Sequence, residues 1–294
     1  MTDHSEQAQT AFTNERANWR GANLQVPDNV EVRMNVPYSA GEDFELTTDL
    51  FVPDDSFDRP RPALLFVHGG GWQGGSPTQF YRQASMLAEK GIVGSCCRYR
   101  FSADYKFPAS VHDVKAAVRW LRANADDLNI DPDRIGTTGG SAGGHLAAML
   151  ATTAGVAELE GEGGSPGHSS AVQLAVLLNP ITDMTVFVSD TNLHPAAVKY
   201  MGGTPEEKPH AYELASPILH IDEATPPCYL LHGTADATVP YDQSTRFAGA
   251  MQGMGLKAEV VLVEGVPHGF FNSSPHFEAT WPGIEAFVTS VFGL

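Results

Sequence analysis

Ser141 lies in the run Gly139-Gly140-Ser141-Ala142-Gly143, which spells G-x-S-x-G between a short apolar segment and a helical one. In that setting the chain turns so sharply that the serine hydroxyl projects from the backbone as a nucleophile. A serine hydroxyl attacks poorly at neutral pH. It needs a base within hydrogen-bond reach, and the base needs an acid that fixes its tautomer. Both follow in workable order. Asp236 comes in Leu231-His232-Gly233-Thr234-Ala235-Asp236 and His268 in Val266-Pro267-His268-Gly269-Phe270, each just past a strand candidate. Rivals for these roles read as structural. His232 suits backbone hydrogen bonding in its own loop, His145 packing beside the serine turn, and Asp242 a helix cap beyond Pro240.

Attack on a carbonyl also needs N–H donors aimed at the oxygen as it gains charge. His68-Gly69-Gly70-Gly71-Trp72 follows an apolar strand candidate, and its glycines permit close backbone approach. The N–H of Ala142, at the start of the helix after Ser141, completes the expected anion hole. The same glycines could cradle a phosphate, but the loop lacks a Walker lysine and the strand–GxGxxG–helix pattern. Trp72 is expected to line the substrate pocket. Tyr99 and Phe101, past another strand end, are expected to wall it, and Asp183 to hydrogen-bond a polar leaving group. An Asx turn or helix cap is the alternative for Asp183.

The elements that position these residues alternate. Val30–Val36 and Phe44–Val52 read as an antiparallel pair at a sheet edge. Ala63–Val67 is apolar throughout, as a strand covered on both faces must be. Helices at 80–90, 110–125, 143–152, 241–251 and 277–292 then alternate with strands at 91–97, 134–138, 171–178, 228–231 and 259–263. This predicts an α/β fold, a mostly parallel doubly wound sheet with antiparallel N-terminal strands. Residues 1–28 read as an N-terminal arm, and 29–294 as a single domain. Gly155–Ser170 reads as a flexible surface loop. Residues 182–225 read as a small cap-like insertion that walls one side of a pocket.

Composition narrows the partners. A formal net charge of −17 argues against nucleic acid and against anionic lipid. No stretch reaches the roughly 18 apolar residues of a membrane span. The polar opening MTDHSEQAQTAFTNERANWRG lacks the apolar core of a secretory signal, so a cytoplasmic location is expected, with export the alternative only if a signal has been trimmed. Cys96, Cys97 and Cys228 read as buried small hydrophobes, with no metal-ligand spacing. A homodimer stays open.

Taken together, HGGGW, the G-x-S-x-G with its following Gly-His-Leu, FPASVHDVKAAVRWLRANA, ASPI, LLHGTADATVPYDQS and PHGF resemble the α/β-hydrolase esterases related to hormone-sensitive lipase. The nearest branch is that of the bacterial bifunctional feruloyl and acetyl xylan esterases. The likeness spans residues 60–290. It implies Ser141 as nucleophile, Asp236 as acid, His268 as base, and Gly70, Gly71 and Ala142 as oxyanion donors. It also implies hydrolysis of acetyl or other short acyl esters without a cofactor. Related branches act on amides, kynurenine formamidases among them. Xylan-acting relatives are often exported, so the lack of a signal favours short acylated saccharides or other small esters. Aryl (feruloyl-type) esters and amides are the alternatives, and a non-catalytic binding protein would have to keep all three triad residues unused.

Overall fold

The computed structural model describes residues 26–54, 56–57, 60–188 and 193–294. The expected N-terminal arm lies outside them except for its last three residues. The strands are β1 (Val30–Ala40), β2 (Glu45–Pro53), β3 (Arg61–Val67), β4 (Val93–Cys97), β5 (Ile130–Gly140), β6 (Ala175–Leu178), β7 (Cys228–Gly233) and β8 (Ala258–Val263). They form one sheet in the order β1-β2-β4-β3-β5-β6-β7-β8. β1 and β2 pair antiparallel, as expected, and β2 joins β4 antiparallel. From β4 to β8 every pairing is parallel. This is the α/β-hydrolase arrangement.

Side-chain alternation divides the core in two. Ala63, Leu65 and Val67 of β3 join one cluster, while Leu64 and Phe66 join the other. The first cluster includes the apolar stripes of α2 (Ala109–Ala123), α3 (Ala142–Thr152) and α4 (Asp242–Gly253). The second includes those of α1 (Tyr81–Ala88) and α5 (His276–Phe292). Successive side chains of a strand face opposite ways, so the two clusters are the two faces of one sheet. All three cysteines are free and buried, as expected. No helix among the described residues is long and apolar enough to cross a membrane.

One loop differs from its reading. Gly155–Ser170 is tied down rather than free. It contains a helical turn, Ala157–Glu160, that buries Leu159. The Glu160 carboxylate accepts hydrogen bonds from Lys115 Nζ at 2.7 Å, Arg119 Nη1 at 3.0 Å, the Gly155 N–H at 2.7 Å and Ser170 Oγ at 2.9 Å. Glycine and serine content suggested mobility, but the two buried cations on α2 need this counter-charge.

Sheet order places the chemistry. β3 and β5 are neighbours, so the loop after β3 meets the turn after β5. The carboxyl ends of β6, β7 and β8 follow in line, which is where open α/β sheets bind ligands.

Candidate active site

Ser141 sits between β5 and α3 with φ 57° and ψ −122°, a conformation that is strained for a residue with a Cβ. The surroundings hold it there. Its N–H donates to the Leu178 carbonyl at 2.8 Å, and its carbonyl accepts from the His145 N–H at 2.9 Å. The flanking glycines admit the close approach of two backbones. A Cβ on Gly139 would lie 2.2 Å from the Gly143 carbonyl oxygen, and one on Gly143 would lie 2.1 Å from that of Val67.

His268 joins Ser141 to Asp236. Its Nε2 is 2.9 Å from Ser141 Oγ and its Nδ1 is 2.6 Å from Asp236 Oδ2. Burial of Asp236 opposes its ionisation. Hydrogen bonds from His232, His268 and the Val239 N–H outweigh that and hold the carboxyl far below the usual carboxylate range. An ionised carboxylate only accepts, so His268 Nδ1 carries the proton and Nε2 offers its lone pair to the serine hydroxyl. Asp236 is itself fixed. Its Oδ1 accepts from the N–H groups of Thr238 and Val239, each at 2.9 Å. Its Oδ2 also accepts from Asn179 Nδ2 at 3.2 Å. His232 is structural, as expected: Nε2 donates to the Val239 carbonyl at 2.9 Å and reaches Asp236 at 3.3 Å.

The glycine-rich loop after β3 carries three successive positive φ values, 128° at Gly70, 60° at Gly71 and 58° at Trp72. Among the described residues, the N–H groups of Gly70, Gly71 and Ala142 have no protein acceptor. Three such groups beside a nucleophile form a place where negative charge can rest.

Ser141, His268, Gly70, Gly71, Trp72 and Ala142 line one cavity of about 310 Å³. Trp72 therefore serves the pocket and the core together. Its ring stacks on Tyr200 at 4.6 Å, and its Nε1 donates to His145 Nδ1 at 3.3 Å. From residues 182–225, Phe187 and His194 join the lining of this cavity.

Three expected pocket residues do not line this cavity. Tyr99 stacks on His68 with ring centres 4.4 Å apart, and its hydroxyl donates to the His68 carbonyl at 3.0 Å. It braces the glycine loop instead. Phe101 packs edge-on against the same His68 and Tyr99 rings. Asp183 follows its alternative reading as a cap: Oδ1 accepts from the N–H groups of Thr185 and Val186. Its Oδ2 takes a 2.6 Å bond from Arg246, so the carboxylate serves the fold rather than the cavity, which it does not line. Sequence reasoning missed Asn179, His194, Gln79 and Phe271. Asn179 alone left a signal, an Asn at a strand end, where it adopts φ 45°.

Burial holds two histidines neutral. It lowers His145 and His68 each to about 4, against an ordinary value of 6.5. His145 Nε2 donates to the Ala215 carbonyl at 2.8 Å while Nδ1 accepts from Trp72, so a second proton would break the Trp72 bond. Between pH 6.5 and 4 the unfolded chain binds protons that the folded one refuses. Their stabilisation is complete above that window and is lost as pH falls through it, by roughly 3 kcal/mol for each histidine. Urea unfolding is thus expected to show a markedly lower midpoint at pH 4.5 than at pH 7.5, with a shallower pH slope in His145→Gln. A midpoint constant across this range would contradict the burial.

Among the described residues, no group of three or more His, Cys, Asp or Glu side chains is placed to hold a metal ion.

Comparison with known proteins matches this architecture. The BD-FAE family model aligns with residues 48–251. Esterase LipQ of Mycobacterium tuberculosis is 34% identical over 75% of this chain and 53% of its own length. The chain thus spans about half the length of the curated relatives it matches. A thermophilic esterase from the planctomycete Thermogutta terrifontis, Est2, is 32% identical, with a TM-score of 0.75 over 92% of this chain and 96% of that one. That esterase has also been solved with propionate bound, with butyrate bound and phosphorylated by paraoxon. A family match over more than half the chain, with a near full-length structural likeness, settles the lineage: this chain belongs to the BD-FAE family and has the α/β-hydrolase fold.

Proposed function

We propose that the protein is a serine carboxylesterase that cleaves short-chain, acetyl-type esters of small alcohols or acylated saccharides. The observation that carries this reading is the hydrogen-bonded line Ser141–His268–Asp236, at 2.9 and 2.6 Å, beside three N–H groups without acceptors. Ser141 Oγ attacks the ester carbonyl while His268 Nε2 takes its proton. The carbonyl oxygen gains charge against Gly70, Gly71 and Ala142. Asp236 stabilises the imidazolium, which then protonates the leaving alkoxide as the carbon–oxygen bond breaks. Water, deprotonated by His268, repeats the attack on the acyl-enzyme and releases the acid with Ser141 restored.

Two points support a short acyl group. The cavity, about 310 Å³, is at the small end of the roughly 300–1,000 Å³ of ligand pockets. The Thermogutta terrifontis esterase holds propionate and butyrate. The family match favours a second reading on the same triad, aryl esters of the feruloyl type. The aromatic lining of Trp72, Phe187 and Phe271 is compatible with a ring. Steady-state kinetics on p-nitrophenyl acetate, butyrate and octanoate, acetylated xylo-oligosaccharides, methyl ferulate and formyl-kynurenine separate these. The expected order places acetate to butyrate highest in kcat/KM. A preference of about tenfold or more for methyl ferulate, about 1.4 kcal/mol at the transition state, would replace the short-acyl reading with the aryl one. Preference for formyl-kynurenine would replace both.

A further inference from the structure

We infer that Gln79 is a positioning residue that sets the oxyanion loop and, through Asn272, ties it to the segment carrying His268. The inference rests on the ester-hydrolase reading above and concerns how its donors are held.

The Gly69 peptide unit is clamped on both sides. Its N–H donates to Gln79 Oε1 at 2.6 Å. Its carbonyl lies 2.9 Å from His68 Nδ1, which must carry the proton because a carbonyl only accepts. The Gly69 N–H is therefore committed, which leaves the next two, of Gly70 and Gly71, for the substrate. Upstream, the Tyr99 hydroxyl holds the His68 carbonyl, and downstream the Gln73 N–H holds that of Gly70 at 3.1 Å. Among these anchors Gln79 is set apart by its reach. It lines the catalytic cavity, and its backbone carbonyl accepts from Asn272 Nδ2 at 3.0 Å. Asn272 Oδ1 in turn accepts from Gln83 Nε2 at 2.5 Å. Asn272 ends the short turn Phe270–Asn272 that begins directly after His268-Gly269.

Gln79 thus connects the two halves of the machinery, its side chain holding the donor loop after β3 and its backbone carbonyl the segment that carries the base after β8. The connection matters because the donors have no side chains of their own to pack. Gly70 and Gly71 are placed only by what their neighbours hold, and a donor displaced by about 1 Å can cost on the order of 10²-fold in rate.

Gln79→Met removes the acceptor and keeps the length of the side chain. With p-nitrophenyl acetate, kcat is expected to fall about 10- to 100-fold while KM stays within about threefold. Affinity for a trifluoromethyl ketone, whose adduct places an oxyanion in the hole, should fall in parallel with kcat/KM. The acid limb of the kcat/KM pH profile should not move, because the His268–Asp236 pair is untouched. Asn272→Leu removes only the tie and should give a smaller loss with the same signature; it carries the test if Gln79→Met does not fold. An unchanged kcat in the folded variants overturns the inference. So does a rise in KM alone, which would make Gln79 a substrate contact, or a shifted acid limb, which would place the fault in the triad. A wild-type protein that turns over no ester defeats the functional reading itself, whereas turnover with equal kcat in wild type and variants defeats only the brace.

Discussion

Ser141→Ala is expected to lower kcat by about 10⁴- to 10⁶-fold, which is about 5–8 kcal/mol at the transition state. The loss is chemical rather than structural. Ser141 occupies φ 57° through bonds made by its backbone, and alanine is strained there to the same degree as serine. Melting temperature should therefore stay close to that of the wild type. His268→Ala should cost a similar factor, because a serine without its base attacks no better than water. The two losses should not multiply. Nucleophile and base act as one unit, so Ser141→Ala/His268→Ala should be only a few-fold worse than either single variant. The residual rate belongs to the Gly70, Gly71 and Ala142 donors, which both substitutions leave in place. Rates of p-nitrophenyl acetate hydrolysis by the three variants decide the matter. Turnover in Ser141→Ala within about 100-fold of wild type would remove Ser141 from the nucleophile role.

That triad was legible because its logic is sequential. A sharp turn, an acid and a histidine must appear in one order, each past a strand, and residues 141, 236 and 268 satisfy that order. The apolar alternation of strands and helices was legible for the same reason, since periodicity is a property of local sequence. What could not be read depends on contacts distant in the chain. Tyr99 and Phe101 follow β4, which correctly places them at the active edge of the sheet. Position past a strand does not say whether a ring faces the cavity or the back of the glycine loop, and both rings took the back. Asp183 has its partner in Arg246, 63 residues away, and Glu160 has its partners in Lys115 and Arg119, 45 and 41 residues back. Gln79 and Asn272 belong to no motif and meet across 193 residues. Polar residues without a motif become visible only when the sheet order brings their loops together.

The two ends of the G-x-S-x-G run make the same point about space, and Gly143→Ala shows how much it weighs. A Cβ at Gly143 would stand 2.1 Å from the Val67 carbonyl oxygen and 2.5 Å from that of His68. Both are backbone atoms where β3 passes into the oxyanion loop, so no side-chain rotation relieves the clash. Either α3 moves away from β3 or the loop shifts, and the first also pulls on Gly139, whose missing side chain faces the Gly143 carbonyl. The expected cost exceeds about 4 kcal/mol, a large part of the roughly 5–15 kcal/mol that holds a domain together. Soluble yield and the urea midpoint should fall sharply, and any folded fraction should lose kcat as its donors shift. The same substitution has the opposite sign elsewhere. Gly249 lies on the exposed side of α4, and a Cβ there meets nothing within 4 Å. Gly249→Ala should stabilise by about 0.5–1 kcal/mol, because it removes freedom from the unfolded chain and adds no clash. Urea melts of the two variants beside the wild type test the pair. A Gly143→Ala midpoint at or above the wild-type value would mean that β3 and α3 are not in this contact. The turn that projects Ser141 would then need another explanation.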